Sequence, residues 1–229
     1  MLFTPEETTA IALSLKVAVA ASLASLPLGI ATAWVLARVD FVGKSLLDAL
    51  VHLPLVLPPV VVGYALLVTF GHGGAAGRLL SEHFGISFAF RWTGAALASA
   101  IMGFPLLVRA IRLAIESVDR RLEQAAATLG ANPLRVFFTV TLPLSWPGIV
   151  AGTVLAFAKA LGEFGATITF VSSIPGQTRT LSSEIYGLMQ APGGESGIWR
   201  LAVVAVVISL AALLASEWLV RRQRRGERD

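Results

Sequence analysis

The sequence predicts an all-α membrane protein that crosses the bilayer about five times. Of its 229 residues, 55% are apolar and 14% are charged, against roughly 25% charged in soluble domains. The apolar residues run in long unbroken blocks, and most of the basic residues cluster in the segments between alternate blocks. A soluble fold of this length would still need polar side chains to cover its outside, so lipid must supply the cover.

A helical span needs about 20 mostly apolar residues. Residues 11–37, 92–108 and 201–220 meet this cleanly. Residues 46–70 are long enough but contain Pro54, Pro58 and Pro59, and residues 147–170 contain Lys159 and Glu163. The five together make one transmembrane domain over residues 1–229. The first block is preceded by Glu6 and Glu7 rather than by basic residues, and it is too long for a secretion signal, so it is expected to remain a membrane helix.

Basic residues set the orientation. With the N-terminus outside, the cytoplasmic segments hold Arg38, Lys44, Arg109, Arg112, Arg120, Arg121, Arg135, Arg221, Arg222, Arg224, Arg225 and Arg228. The external segments hold Arg78, Arg91, Arg179 and Arg200, and Lys16 and Lys159 lie within spans. The imbalance predicts N-out and C-in, and an odd number of spans agrees in placing the termini on opposite sides. The net charge of +4 therefore reports topology rather than a nucleic-acid partner. Residues 172–197, with Pro175, Gly176, Pro192, Gly193 and Gly194, would strand backbone groups in lipid, so they form an external loop, and residues 182–190 suit a short helix within it.

Several chemistries are excluded. Without cysteine there is no disulfide, iron–sulfur cluster or thiolate zinc site. His52, His72 and His83 are too dispersed for a metal site, and no Ser/His/Asp or His-Glu-x-x-His pattern occurs, so neither a metal nor an enzymatic centre is expected. Gly43-Lys44-Ser45 resembles the end of a phosphate-binding loop, but Arg38 stands where its first glycine belongs.

The segment with a mechanism is residues 119–143, DRRLEQAAATLGANPLRVFFTVTLP. It reads as helix, turn, helix: Asp119 caps the first helix, Gly130 supplies the left-handed residue that ends it, and Asn132 with Pro133 starts the second. Pro143 is expected to stop that second helix. The small face at Ala125, Ala126 and Ala127 lets another surface approach closely. A DNA-reading role is disfavoured, because the second helix presents Val136, Phe137, Phe138 and Val140.

This segment resembles the cytoplasmic coupling loop of binding-protein-dependent ABC importer permeases, whose motif runs Glu-Ala-Ala, three residues, Gly, nine residues, aliphatic, one residue, Leu-Pro. Ala125, Ala126, Gly130, Val140, Leu142 and Pro143 fall in register. Gln124 stands at the acidic position and Glu123 one place earlier, so Glu123 is taken as the polar anchor. Three further stretches, HLPLVLPPVVVGY at 52–64, LGEFGATITF at 161–170 and IPGQTRT at 174–180 with APGGE at 191–195, are similar to the molybdate permeases of that family. Sulfate and tungstate permeases share much of the pattern.

The resemblance implies a type I ABC importer permease fold in a bacterial inner membrane, with no catalysis in this chain. It also implies a second copy of the chain, a cytoplasmic ATPase dimer that binds ATP and Mg, and an external molybdate-binding protein. An ion-coupled secondary transporter is the rival, and it would need a coupling carboxylate, for which Glu163 is the candidate.

The residues expected to line the pathway or its gate keep two readings each. Pro54, Pro58 and Pro59 free carbonyls that either line a cavity or kink a packed helix. Lys159 and Glu163, four apart on one helical face, either form a structural or gate pair or meet substrate. Thr167 and Thr169 either donate hydroxyl hydrogens to the pathway or bond back to their own helix. Gly148 and Gly152 have the spacing that lets two helices pack closely, within one chain or between copies, and Gly63 suits the same role.

Overall fold

The computed structural model describes residues 3–226 and contains no strand among them. The first helix, α1 (Pro5–Arg38), begins with a capping box: Thr4 Oγ1 accepts from the Glu7 amide at 3.2 Å, and Glu7 accepts from the Thr4 amide at 2.9 Å. At 34 residues it is about 51 Å long, far more than a hydrocarbon core of about 30 Å. Lys16 Nζ lies 3.7 Å from the centre of the Trp92 ring, and the rise from Lys16 to Arg38 is about 33 Å. That rise is close to the thickness of a hydrocarbon core of about 30 Å. In the first turns of α1, Ser14 Oγ accepts from the Leu181 amide at 2.6 Å and Glu7 pairs with Arg200 at 2.7 Å.

Residues 46–70 do not form one rod. They divide into α2 (Lys44–Val56) and α3 (Pro59–Phe70), which meet at 110°. Pro58 and Pro59 have no N–H for the carbonyls of Pro54 and Leu55, so the ladder must open there. Each half is about 20 Å or less, too short to cross alone. After α4 (Ala75–Phe84), α5 (Trp92–Ser117) forms the centre of the bundle. It packs along α1 and α8 (Trp146–Leu161) and buries Leu107, Val108, Ile111 and Ile115.

The hairpin between α5 and α8 consists of α6 (Arg120–Thr128) and α7 (Pro133–Leu144). The expectation for Pro143 is corrected here: the helix runs past it to Leu144, and the chain turns by 69° into α8 at Ser145. The missing N–H of Pro143 is accommodated by a π-helical stretch, Phe137–Thr141, in which the Leu142 amide reaches back to the Phe137 carbonyl.

The predicted span 147–170 is also broken. α8 ends at Leu161, and α9 (Gly165–Val171) starts after three intervening residues. The loop at 172–197 contains α10 (Leu181–Gln190), as the sequence suggested, and α11 (Glu195–Gly226) completes the fold. Among the described residues three helices are long and apolar enough to cross a membrane, and up to five spans result if each bent pair, α2 with α3 and α7 with α8, counts as one. Arg228, part of the predicted cytoplasmic charge cluster, lies outside the described residues.

The small-residue spacing at Gly148 and Gly152 serves this chain's own packing. A Cβ on Gly148 would stand 2.1 Å from Ala114 Cβ, and one on Gly152 would stand 3.0 Å from the Leu107 carbonyl. The seam lies between α8 and α5.

Candidate functional site: the coupling hairpin and the broken spans

The local signals in residues 119–143 produce the expected geometry. Asp119 Oδ1 accepts from the Arg121 amide at 2.9 Å, and Asn132 Oδ1 accepts from the Arg135 amide at 2.8 Å. Gly130 has φ +87°, the left-handed conformation that closes α6. Nothing stands within 4 Å of where its Cβ would be, so the backbone alone selects glycine here. No α6 residue is buried, and Leu122, Leu129, Leu134 and Phe138 are 50–89% exposed. A polar helix with apolar side chains left in the open is an unsatisfied surface.

Glu123 faces inward. Its carboxylate accepts from Arg38 Nε at 3.1 Å and from Thr141 Oγ1 at 2.7 Å, while another Arg38 nitrogen donates to the carbonyls of Ile115 (2.8 Å) and Val118 (3.1 Å). The Arg38 and Glu123 side chains are 10% and 17% exposed. One guanidinium thus closes the orphan carbonyls at the end of α5 and binds α6, while Thr141 adds α7. Glu123, taken from the sequence as the polar anchor of the docking motif, is bonded within the chain itself, to α1 and α7. Gln124, one residue on, is exposed. Ala125 is exposed and Ala126 half-buried, whereas Leu142 is partly buried against the core.

The residues expected to line a pathway or gate fall into two groups. Pro59 and Gly63 on α3 meet Gly165, Ala166 and Thr169 on α9: a Cβ on Gly63 would lie 2.5 Å from the Ala166 carbonyl, and one on Gly165 would lie 2.8 Å from Pro59 Cβ. Lys159 and Glu163 are bonded at 2.6 Å, but not on one helical face, because Glu163 lies beyond the end of α8. Its second oxygen accepts from the Ala166 amide at 2.9 Å and so caps α9. Thr167 donates to the Phe164 carbonyl at 2.9 Å and Thr169 to the Gly165 carbonyl at 2.8 Å. Both hydroxyl protons are spent on their own helix, and the break explains this, since the first turn of α9 leaves those carbonyls close by. Pro54 stands apart from this group, in a cavity with Ser25, Leu50, Val51 and Phe104.

α10 tucks against the same break. Phe164 and Tyr186 rings are 4.9 Å apart, and Ser182 Oγ reaches the terminal Leu161 carbonyl at 3.5 Å, the outer limit of a hydrogen bond.

Sequence reasoning missed Arg38, read only as a topological charge, and Thr141. It also missed Asp48, a carboxylate inside residues 46–70, which pairs with Arg112 at 3.0 Å. Local patterns show helix caps, but not partners 64 or 85 residues away.

Spans that break inside the membrane-length bundle, with an exposed, capped hairpin latched to their ends, define a transport permease of the type I ABC importer fold. The chain belongs to the family described as binding-protein-dependent transport system inner membrane component, whose model matches residues 25–225. It is a multi-pass inner-membrane protein. It is 61% identical over 228 residues to the molybdenum transport system permease protein ModB of Escherichia coli (strain K12), covering 99% of this chain and 100% of that one. It is 36% identical over 210 residues to the sulfate transport system permease protein CysT of Salmonella typhimurium, covering 92% and 74%. The fold is shared with a bacterial alginate ABC transporter solved in complex with alginate pentasaccharide-bound periplasmic protein, at TM-score 0.73 and 21% identity over 96% of this chain and 80% of that one.

Proposed function

We propose that this chain is the membrane subunit of a molybdate importer, working as two copies with a cytoplasmic ATPase dimer and an external molybdate-binding protein. The observation that carries the substrate is the 61% identity to a molybdenum permease along the full chain, against 36% to a sulfate permease. The hairpin supports the rest. Its outer surface exposes Leu122 and Leu129 beside small alanines, as a docking face can, while Glu123 ties its inner surface to α1 and α5 through Arg38. A push on the hairpin therefore reaches three helix ends at once.

In this reading Ala125, Ala126 and Gly130 shape the docking face, and Leu142 and Pro143 join it to the bundle. Glu123 transmits rather than docks. ATP and Mg belong to the ATPase, which supplies the differential binding energy for alternating access. The break around Pro58, Pro59 and Glu163 lies where two membrane helices lose their ladders, the place for a pathway or its gate. Orientation follows the basic residues: N-terminus outside, C-terminus in the cytoplasm.

Against an ion-coupled mechanism, both Glu163 oxygens are already engaged, by Lys159 and by the Ala166 amide. Vesicles containing the reconstituted complex are expected to take up radiolabelled molybdate only with internal ATP, and excess sulfate is expected to compete weakly. Uptake without ATP would remove the importer reading. Uptake of sulfate in preference to molybdate, or displacement of molybdate by tungstate alone, would reassign the oxyanion.

A further inference from the structure

An apolar groove of about 490 Å3 runs between α1 and α7, walled by Pro27, Ile30, Trp34, Phe137, Phe138 and Leu142. Trp34, Pro133 and Phe137 also line an adjacent cleft of about 380 Å3 that contains Arg38, Arg120 and Glu123. The first chamber is almost wholly hydrocarbon and the second is charged. Arg38 is neutralised by Glu123, whereas Arg120 has no ion-pair or side-chain hydrogen-bond partner among the described residues. Asp40, the carboxylate whose charge reaches Arg120, is bonded to Lys44 at 2.9 Å. The cleft therefore offers one uncompensated positive charge.

Depth gives the groove its meaning. Pro27 lies midway between Lys16 and Arg38, and the rise from Pro27 to Arg38 is about 16 Å, half of a hydrocarbon core of about 30 Å. On α1 the apolar chamber runs from Pro27 to Trp34, about 10 Å and so most of the thickness of one leaflet, and the charge begins one turn further on at Arg38. A free anion has no use for the apolar half, and an uncharged lipid has none for the cation.

We infer that groove and cleft together hold an anionic phospholipid of the leaflet on the hairpin side. One acyl chain lies between α1 and α7, and the phosphate lies at Arg120. The occupant touches Trp34 and Phe137, which flank the Arg38–Glu123 pair, so it fills the space against which the hairpin would move. The inference depends on the chain spanning a membrane, not on which oxyanion it carries.

The test is native mass spectrometry of the full-length chain, purified in detergent and exchanged into equal mixtures of phosphatidylglycerol and phosphatidylcholine. One retained lipid is expected, with phosphatidylglycerol favoured about fivefold, the effect of one basic residue on an anionic headgroup. Arg120→Gln, at an exposed position, is expected to abolish the preference but keep the lipid. Ala31→Trp, which fills the groove, should release both lipids while leaving the elution volume unchanged. Equal retention of the two lipids by the wild-type chain would overturn the proposal, as would an unchanged preference in Arg120→Gln. Displacement by millimolar inorganic phosphate would make this a free-anion site instead.

Discussion

Arg38 and Glu123, 85 residues apart in the chain, meet at 3.1 Å where α1 ends and the hairpin begins. Their side chains are 10% and 17% exposed, so neither is free to find another partner without moving a helix. Glu123→Ala leaves the mostly buried Arg38 guanidinium with only the Ile115 and Val118 carbonyls and no counter-ion, and the Thr141 hydroxyl without its acceptor, an expected loss of about 2 kcal/mol. Thermal unfolding in detergent measures it. ATP-driven uptake is expected to fall further than stability does, because the broken link is the one between hairpin and bundle. Arg38→Gln should lower both by a similar amount, and the double variant should lose less than the sum, since the two act on one interaction.

The α5–α8 seam gives a size-compensation test. Gly148→Ala places a methyl 2.1 Å from Ala114 Cβ, an overlap that the facing helices must relieve by separating. An expected cost of about 1–3 kcal/mol follows. Adding Ala114→Gly should recover most of it. If the pair is no more stable than the single variant, this contact is not the reason for the glycine.

Lys159 and Glu163 separate a structural role from a transport role. Glu163→Ala strands Lys159 and uncaps α9, at an expected cost of about 2–3 kcal/mol in melting measurements. Lys159→Met combined with Glu163→Gln removes both charges and keeps an oxygen for the Ala166 amide, so folding should largely return. Molybdate uptake that returns with it assigns the pair to the scaffold. Uptake that stays at background assigns it to the pathway.

Gly130 isolates a backbone effect. With φ +87° and open space around its Cβ position, Gly130→Ala is expected to cost about 1 kcal/mol through backbone strain alone, and Gly130→Asn less. Both variants should insert normally, and the hairpin helices should fray in hydrogen exchange. ATP-driven uptake equal to wild type in Gly130→Ala would show that the turn's shape is not needed for coupling.

The hairpin was legible in the sequence residue by residue, because Asp119, Gly130, Asn132 and Pro133 act on backbone groups two to four positions away. That the chain is a helical membrane protein with several spans was legible because hydropathy is a local sum. The break within residues 147–170 was not, since Gly162 and Phe164 fit a continuous apolar pattern and Glu163 looks like the helical partner of Lys159. Only the α9 amide that Glu163 caps reveals that the helix has ended. Pro143 misled for a related reason: a missing N–H forbids one bond, but a five-residue π turn supplies another. Arg38 carried no local signal at all, since its partners come from α5 and α6.

The close approach of Gly63 to the Ala166 carbonyl constrains how such a chain can change shape. A helix pair pressed together backbone to backbone cannot slide, because every step along the seam would drive a side chain into a carbonyl. α3 and α9 must therefore travel as a single leaf. The weak lines at which that leaf can fold are the two places where its helices are detached from their neighbours, 57–58 and 162–164. Motion of this kind is a swing about two creases, and it leaves the glued face intact while tilting whatever lies on the other side.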